Sequence, residues 1–151
     1  VSDIDYVFLA CGTGTTLTGI CAGMQFFFPK AKVFAISIAR RYEQEKTVLE
    51  DDMQILNSNL NQSYTFENLI FLDKYLCGGY AHYSNELFDS VKECISHEGM
   101  VVDPTYSGKA LWGMINELRA NPVQFAGKNV LFWNTGGIIN LLSTKDDNKV
   151  K

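Results

Sequence analysis

The chain is 151 residues long, 46% hydrophobic and 20% charged, with a formal net charge of -4. That is enough apolar material for one compact core, and it excludes general disorder. The 13 basic residues are scattered apart from Arg40-Arg41, and the longest apolar runs, such as Met24 to Phe28, stop far short of the roughly 20 residues a membrane span requires. Neither nucleic acid nor a membrane is an expected partner.

In chain order, the opening VSDIDYVFLA has no initiator methionine, no charged leader and no small-residue cleavage site, which leads to the expectation that the chain is the later part of a longer polypeptide. Tyr6 to Ala10 is a continuous apolar run of strand length, the pattern of a strand buried on both faces of a parallel sheet. Thr15 to Phe28 carries Leu17, Ile20, Cys21, Met24 and Phe28 at helical spacing, and Pro29 ends it. KVFAISIA predicts a second strand, and Tyr42 to Leu60 a helix with Val48, Leu49, Met53, Leu56 and Leu60 inward. NLIFLDKY predicts a third strand, followed by the glycine loop CGGYAHYS and a helix from Asn85 to Glu98, with Gly99 at its left-handed cap. MVVDPTYSGKA reads as a brief strand, broken at Asp103-Pro104, that launches a helix over Ala110, Leu111, Met114, Ile115 and Leu118; NVLFWNTGG repeats the strand-then-turn theme.

Regular alternation of strand and helix with short connections predicts an α/β fold, a doubly wound and mainly parallel sheet in three layers (α/β/α), over residues 1–143, with a polar tail at 144–151. Ligands of such sheets gather beyond the carboxyl ends of the strands, where Gly12 to Thr16, Asp103 to Lys109 and Asn134 to Gly137 lie. Cys11, Cys21, Cys77 and Cys94 form no C-x-x-C pair and have no histidine at ligand spacing. They read as buried small apolar residues in a reducing, cytoplasmic protein without a metal site. His82 reads as a solvated loop residue, and His97 as a helix C-terminal one near the negative end of the dipole.

The stretch ACGTGTTLTGI, between the first strand and its helix, is the most informative. Gly12 and Gly14 allow close backbone approach, and the N–H groups of Thr13 to Thr16 stand at the positive end of a helix dipole, so a phosphate is the expected guest. The threonine hydroxyls add donors. A Walker A loop is excluded, because Ile20 and Cys21 stand where Lys and Ser or Thr must follow Gly19. The dinucleotide fingerprint fails at Leu17, and Arg40-Arg41 replace the acid that reads a ribose; an NADP-binding module stays open, as does a turn that merely caps a helix. A single phosphate at the mouth of a parallel sheet also suits pyridoxal 5′-phosphate.

The segments ACGTGTTLTG, GGY, EGMVVDPTYSGKALWGMI and VLFWNTGG together resemble the later portion of the fold-type II pyridoxal-phosphate enzymes, within them the group of 1-aminocyclopropane-1-carboxylate deaminases and D-cysteine desulfhydrases. The resemblance implies that Gly12, Thr13, Gly14, Thr15 and Thr16 bind the cofactor phosphate, and that Tyr80 and Tyr106 flank the reacting carbon as proton relay and substrate guide. It implies that Ser107 faces the pyridine nitrogen, where the deaminases have Glu, and that Thr135 stands where they commonly have Leu. Both differences point to the desulfhydrase type: α,β-elimination from a small amino acid giving pyruvate, ammonia and sulfide. The alternative is the deaminase reaction, ring opening to 2-oxobutyrate and ammonia. Lys109 matches a family position other than the Schiff-base lysine, which is expected upstream of Val1, so the chain alone is expected to be inactive and the complete enzyme to be a homodimer. The sequence departs from the family in YAHYS and GGIIN, where prolines are usual.

Overall fold

Val7, Leu9 and Cys11 point to one side of the first strand, and Phe8 and Ala10 to the other, and all five are buried. A strand of this kind has to be covered on both faces, which explains why its apolar run does not alternate. The computed structural model describes residues 3–143, so the tail at 144–151 lies outside the described residues. Strand β1 (Tyr6–Cys11) pairs in parallel with β2 (Lys32–Ser37) over six residues, from Tyr6 opposite Lys32 to Cys11 opposite Ser37. Strand β3 (Leu69–Leu72) joins the far edge of β2, and β4 (Val130–Phe132) joins the other edge of β1, both in parallel, giving the order β3-β2-β1-β4.

Helix α1 (Thr15–Phe27) sets Leu17, Cys21 and Met24 against one sheet face, and α2 (Tyr42–Leu60) adds Leu49 and Met53 to the same layer. Helix α3 (Asn85–Glu93) is capped by Ser84, whose hydroxyl accepts from the Leu87 N–H at 3.2 Å. Helix α4 (Ser107–Ala120) and the short α5 (Pro122–Phe125) cover the second face, where Ala110 and Phe125 meet Phe8, Phe34 and Ile36. Leu87 and Val91 of α3 pack on Leu111 of α4 in a third cluster, and α6 (Ile138–Ser143) follows β4. The result is the expected three-layer α/β/α arrangement.

Three expectations are corrected. Leu60, expected to face inward at the end of α2, is exposed. The segment Met100 to Asp103 is no strand: Met100 O is met by the Cys94 thiol and Val101 O by the Asn134 amide, each at 3.4 Å, and Asp103 O by the Gly108 N–H at 2.6 Å, so no ladder forms. The predicted helix from Asn85 to Glu98 is α-helical only to Glu93; Cys94–Glu98 winds as a π-turn that ends at Gly99, whose φ of 65° makes the left-handed cap.

Because β1 has β2 and β3 on one side and β4 on the other, its carboxyl end is the point where the strand order reverses. A crevice opens there in sheets of this kind.

Candidate functional site

The crevice is a cavity of about 490 Å³, a size that suits a small-molecule ligand. The loop after β1 forms its floor. Gly14 is the N-cap of α1 with φ 90°, a conformation that residues with a Cβ avoid, and a Cβ there would come within 2.8 Å of Leu49 and 3.2 Å of Glu45. With no capping side chain at Gly14, the first N–H groups of α1 keep their capacity for a ligand. Gly12, Thr13, Gly14 and Thr16 line the cavity. Thr15 does not, because its hydroxyl turns to α2 and donates to Asp52 Oδ2 at 3.1 Å.

Above the floor stand the two tyrosines, both lining the cavity, with their hydroxyls 2.8 Å apart and their rings edge to face. Tyr106 is half-buried and its phenol is pushed up to about 12, first by the hydrogen bond with Tyr80, then by burial and the nearby negative charges. It is thus a protonated phenol throughout the neutral range. His82 is exposed, as expected, with Nδ1 2.9 Å from the Tyr80 carbonyl oxygen.

Tyr106 is held by a turn built on one buried carboxylate. Asp103 Oδ2 accepts the N–H of Thr105 and of Tyr106, both at 2.9 Å, and Oδ1 accepts the Ser107 N–H at 2.9 Å and its hydroxyl at 2.8 Å. The Ser107 hydroxyl also accepts the Asp103 N–H at 3.0 Å, and Ser107 lies under the cavity wall rather than in it. The loop after β4 closes over the same carboxylate. Gly137, at φ 105°, comes so near that a Cβ would sit 2.4 Å from Asp103 Oδ1. Thr135, Gly136 and Gly137 line this side of the cavity.

The end of β2 supplies residues that motif reading did not assign to the site: Ile38, Ala39 and Arg40. Among the described residues Arg40 is the one charged residue lining the cavity, and its guanidinium holds Glu45 Oε2 at 3.0 Å. Glu45 is buried, and its second oxygen has no hydrogen-bond partner among the described residues. The spacing of Arg40 from β2, already weighed for a 2′-phosphate, was the available signal. Lys109 does not reach the cavity: it is fully buried, and its ammonium donates to three backbone carbonyls. Burial pushes the Cys11 and Cys21 thiols up to about 12, so both are inert. Among the described residues no acidic or histidine-cysteine cluster could hold a metal ion, and no helix is long and apolar enough to cross a membrane.

Helix-end amides, threonine hydroxyls, a glycine floor that a side chain would fill and the Arg40 cation fit an anionic ligand with one phosphate. This agrees with what the chain resembles. The family described as "Pyridoxal-phosphate dependent enzyme" matches residues 2–136. A bifunctional D-cysteine desulfhydrase/1-aminocyclopropane-1-carboxylate deaminase, mitochondrial, of Arabidopsis thaliana is 33% identical over 142 residues, which cover 94% of this chain and 34% of that protein. A putative 1-aminocyclopropane-1-carboxylate deaminase of Thermotoga maritima is 31% identical over 148 residues, covering 95% and 44%. The crystal structure of an ACC deaminase homologue superposes with a TM-score of 0.78 at 25% identity, over 94% of this chain and 44% of that one. Threonine deaminase isoform 2 of Solanum lycopersicum shares the fold at 9% identity, with a TM-score of 0.54. The chain therefore spans less than half the length of these relatives. With the family's sequence pattern running from before β1 to the glycines after β4, the chain belongs to the pyridoxal-phosphate dependent enzymes.

Proposed function

We propose that this chain carries the phosphate cradle and the tyrosine pair of a pyridoxal-phosphate dependent D-cysteine desulfhydrase, which converts a small thiol-bearing amino acid to pyruvate, ammonia and sulfide. The observation that carries this reading is the Tyr80–Tyr106 pair, two phenols 2.8 Å apart at the rim of the cavity whose floor is the Gly12 to Thr16 loop. The amides of residues 13–16 and the hydroxyls of Thr13 and Thr16 hold the phosphate, and Arg40 offsets its charge. When bound, pyridoxal phosphate supplies the electron sink that makes an α-proton removable.

Tyr80 and Tyr106 form a two-member proton relay. Tyr106 stays neutral because Tyr80 and its own burial oppose ionisation, so it donates rather than abstracts at neutral pH. Thr135 and Ser107 replace the larger deaminase residues; a hydroxyl at Ser107 leaves the pyridine nitrogen without a carboxylate partner, which suits prompt departure of a good leaving group. In this reading Ser107 reaches the ring only by turning its hydroxyl away from Asp103.

A second reading, 1-aminocyclopropane-1-carboxylate deaminase, is favoured by the names of both relatives. Family membership argues against the NADP-binding module. The complete enzyme is a homodimer in this proposal, and the free cysteines suit a reducing compartment such as the cytoplasm. The test is to express the full-length protein that contains this chain, confirm the cofactor by absorbance, and offer it D-cysteine and 1-aminocyclopropane-1-carboxylate in parallel. Pyruvate with sulfide from the first supports the proposal; 2-oxobutyrate from the second alone replaces it with the deaminase, and no bound cofactor overturns both.

A further inference from the structure

The loop that carries Tyr80 is held in an unusual way. From Cys77 to Ala81 the backbone takes left-handed conformations at Cys77 (φ 52°), Gly78 (91°), Gly79 (135°) and Ala81 (55°), two of them at residues whose Cβ disfavours it. Such a run does not persist without an external constraint. It turns the Leu76 and Gly79 carbonyls inward, and there they meet the Lys109 ammonium at 2.8 and 2.6 Å, while the Ile38 carbonyl from the end of β2 completes the set at 3.2 Å. Three acceptors match the three hydrogens of a charged amine. Lys109 is fully buried, and among the described residues no carboxylate pairs with it. Burial pushes its ammonium down to about 8, which still leaves it charged at neutral pH. Two further ties flank the loop: Tyr75 donates to Glu117 of α4 at 2.7 Å, and the Tyr83 and Thr105 hydroxyls meet at 2.8 Å.

Lys109 lies in the first turn of α4, and Tyr106 is the residue at that helix's start. The same turn therefore presents one phenol and grips the loop that presents the other. We propose that Lys109 is a positioning residue for the reaction: its charge gathers the Ile38, Leu76 and Gly79 carbonyls and so sets the Tyr80 hydroxyl against that of Tyr106. The role rests on the functional reading above. It differs from a packing role, because a side chain of similar bulk without the charge would fill the space yet take the ammonium from all three carbonyls, leaving those of Leu76 and Gly79 only the local N–H groups of Gly79 and His82 and that of Ile38 without its charged donor.

The experiment uses the full-length protein with Lys109→Met, which keeps an unbranched stem of similar bulk but has no ammonium, and Lys109→Ala, which leaves room for an added alkylammonium ion. A fluorinated tyrosine at position 106 reports by fluorine NMR, in cofactor-free protein, how far Tyr80 still opposes its ionisation. In Lys109→Met that titration moves down, and in loaded enzyme kcat falls about 100-fold with KM little changed, as expected for a misplaced proton-transfer group. Propylammonium restores both in Lys109→Ala. A titration that stays in place, a kcat that does not follow it, or absence of rescue overturns the proposal. Loss of folding in both variants overturns it too, by making Lys109 a core element. Failure of the functional reading appears separately, as wild-type protein that takes up no pyridoxal phosphate, and the fluorine titration still decides the role of Lys109.

Discussion

The Tyr106 phenol owes its raised pKa first to Tyr80, so Tyr80→Phe brings it from about 12 back toward the ordinary 10. The linkage follows. A phenol whose folded value lies above its unfolded value contributes stability below pH 10, and that contribution is lost as pH rises toward 12. Denaturant midpoints for wild type and Tyr80→Phe therefore converge across this window, and an ultraviolet phenolate titration reads the shift directly. Gly14→Ala meets a left-handed backbone and the Leu49 side chain at once, and is expected to cost about 2–4 kcal/mol and to weaken cofactor binding. Chemical denaturation and a cofactor titration check both effects. Gly12, Thr13, Gly14 and Thr16 were legible in the sequence as a phosphate loop, whereas Tyr80, Tyr106 and Thr135 came to the same cavity only through the short motifs that carry the family resemblance. Thr15 was not resolved: its hydroxyl takes a direction set by Asp52, far along the chain on a neighbouring helix.

At the scale of elements, helix α4 begins where it does because one aspartate gathers four donors from the three residues that follow Pro104. Asp103→Asn keeps the shape but turns one acceptor into a donor facing other donors. A loss of about 2–3 kcal/mol is expected, with Ser107→Ala costing less. Urea unfolding of both variants in the full-length protein compares them. The helices α1 and α2 were legible nearly to the residue, since amphipathic spacing and a terminal proline are local signals. Met100 to Asp103 was misread for the converse reason. Its apolar composition suits a strand, but a strand exists only if a partner offers a ladder, and composition does not reveal the partner. The π-turn after Glu93 is equally silent, because the residues Cys94–Glu98 are compatible with either winding.

For the whole molecule, the parallel three-layer fold could be read from the order of patterns along the chain, whereas the strand order β3-β2-β1-β4 rests on long-range pairing that no local signal encodes. Among the described residues no lysine lines the cavity, and Lys109 is occupied elsewhere. The chain alone is therefore expected to yield no pyruvate from D-cysteine beyond the rate of free pyridoxal phosphate, which a coupled assay measures. The pairing of Tyr6 with Val130 has a kinetic corollary. On the ribosome, β1, β2 and β3 are complete long before β4 is synthesised, so the wall that bears Thr135 is added after them. Vitamin capture has to await synthesis of β4 and the loop after it, and a nascent chain stalled ahead of Val130 leaves the outer flank of β1 open to a chaperone or a neighbouring polypeptide.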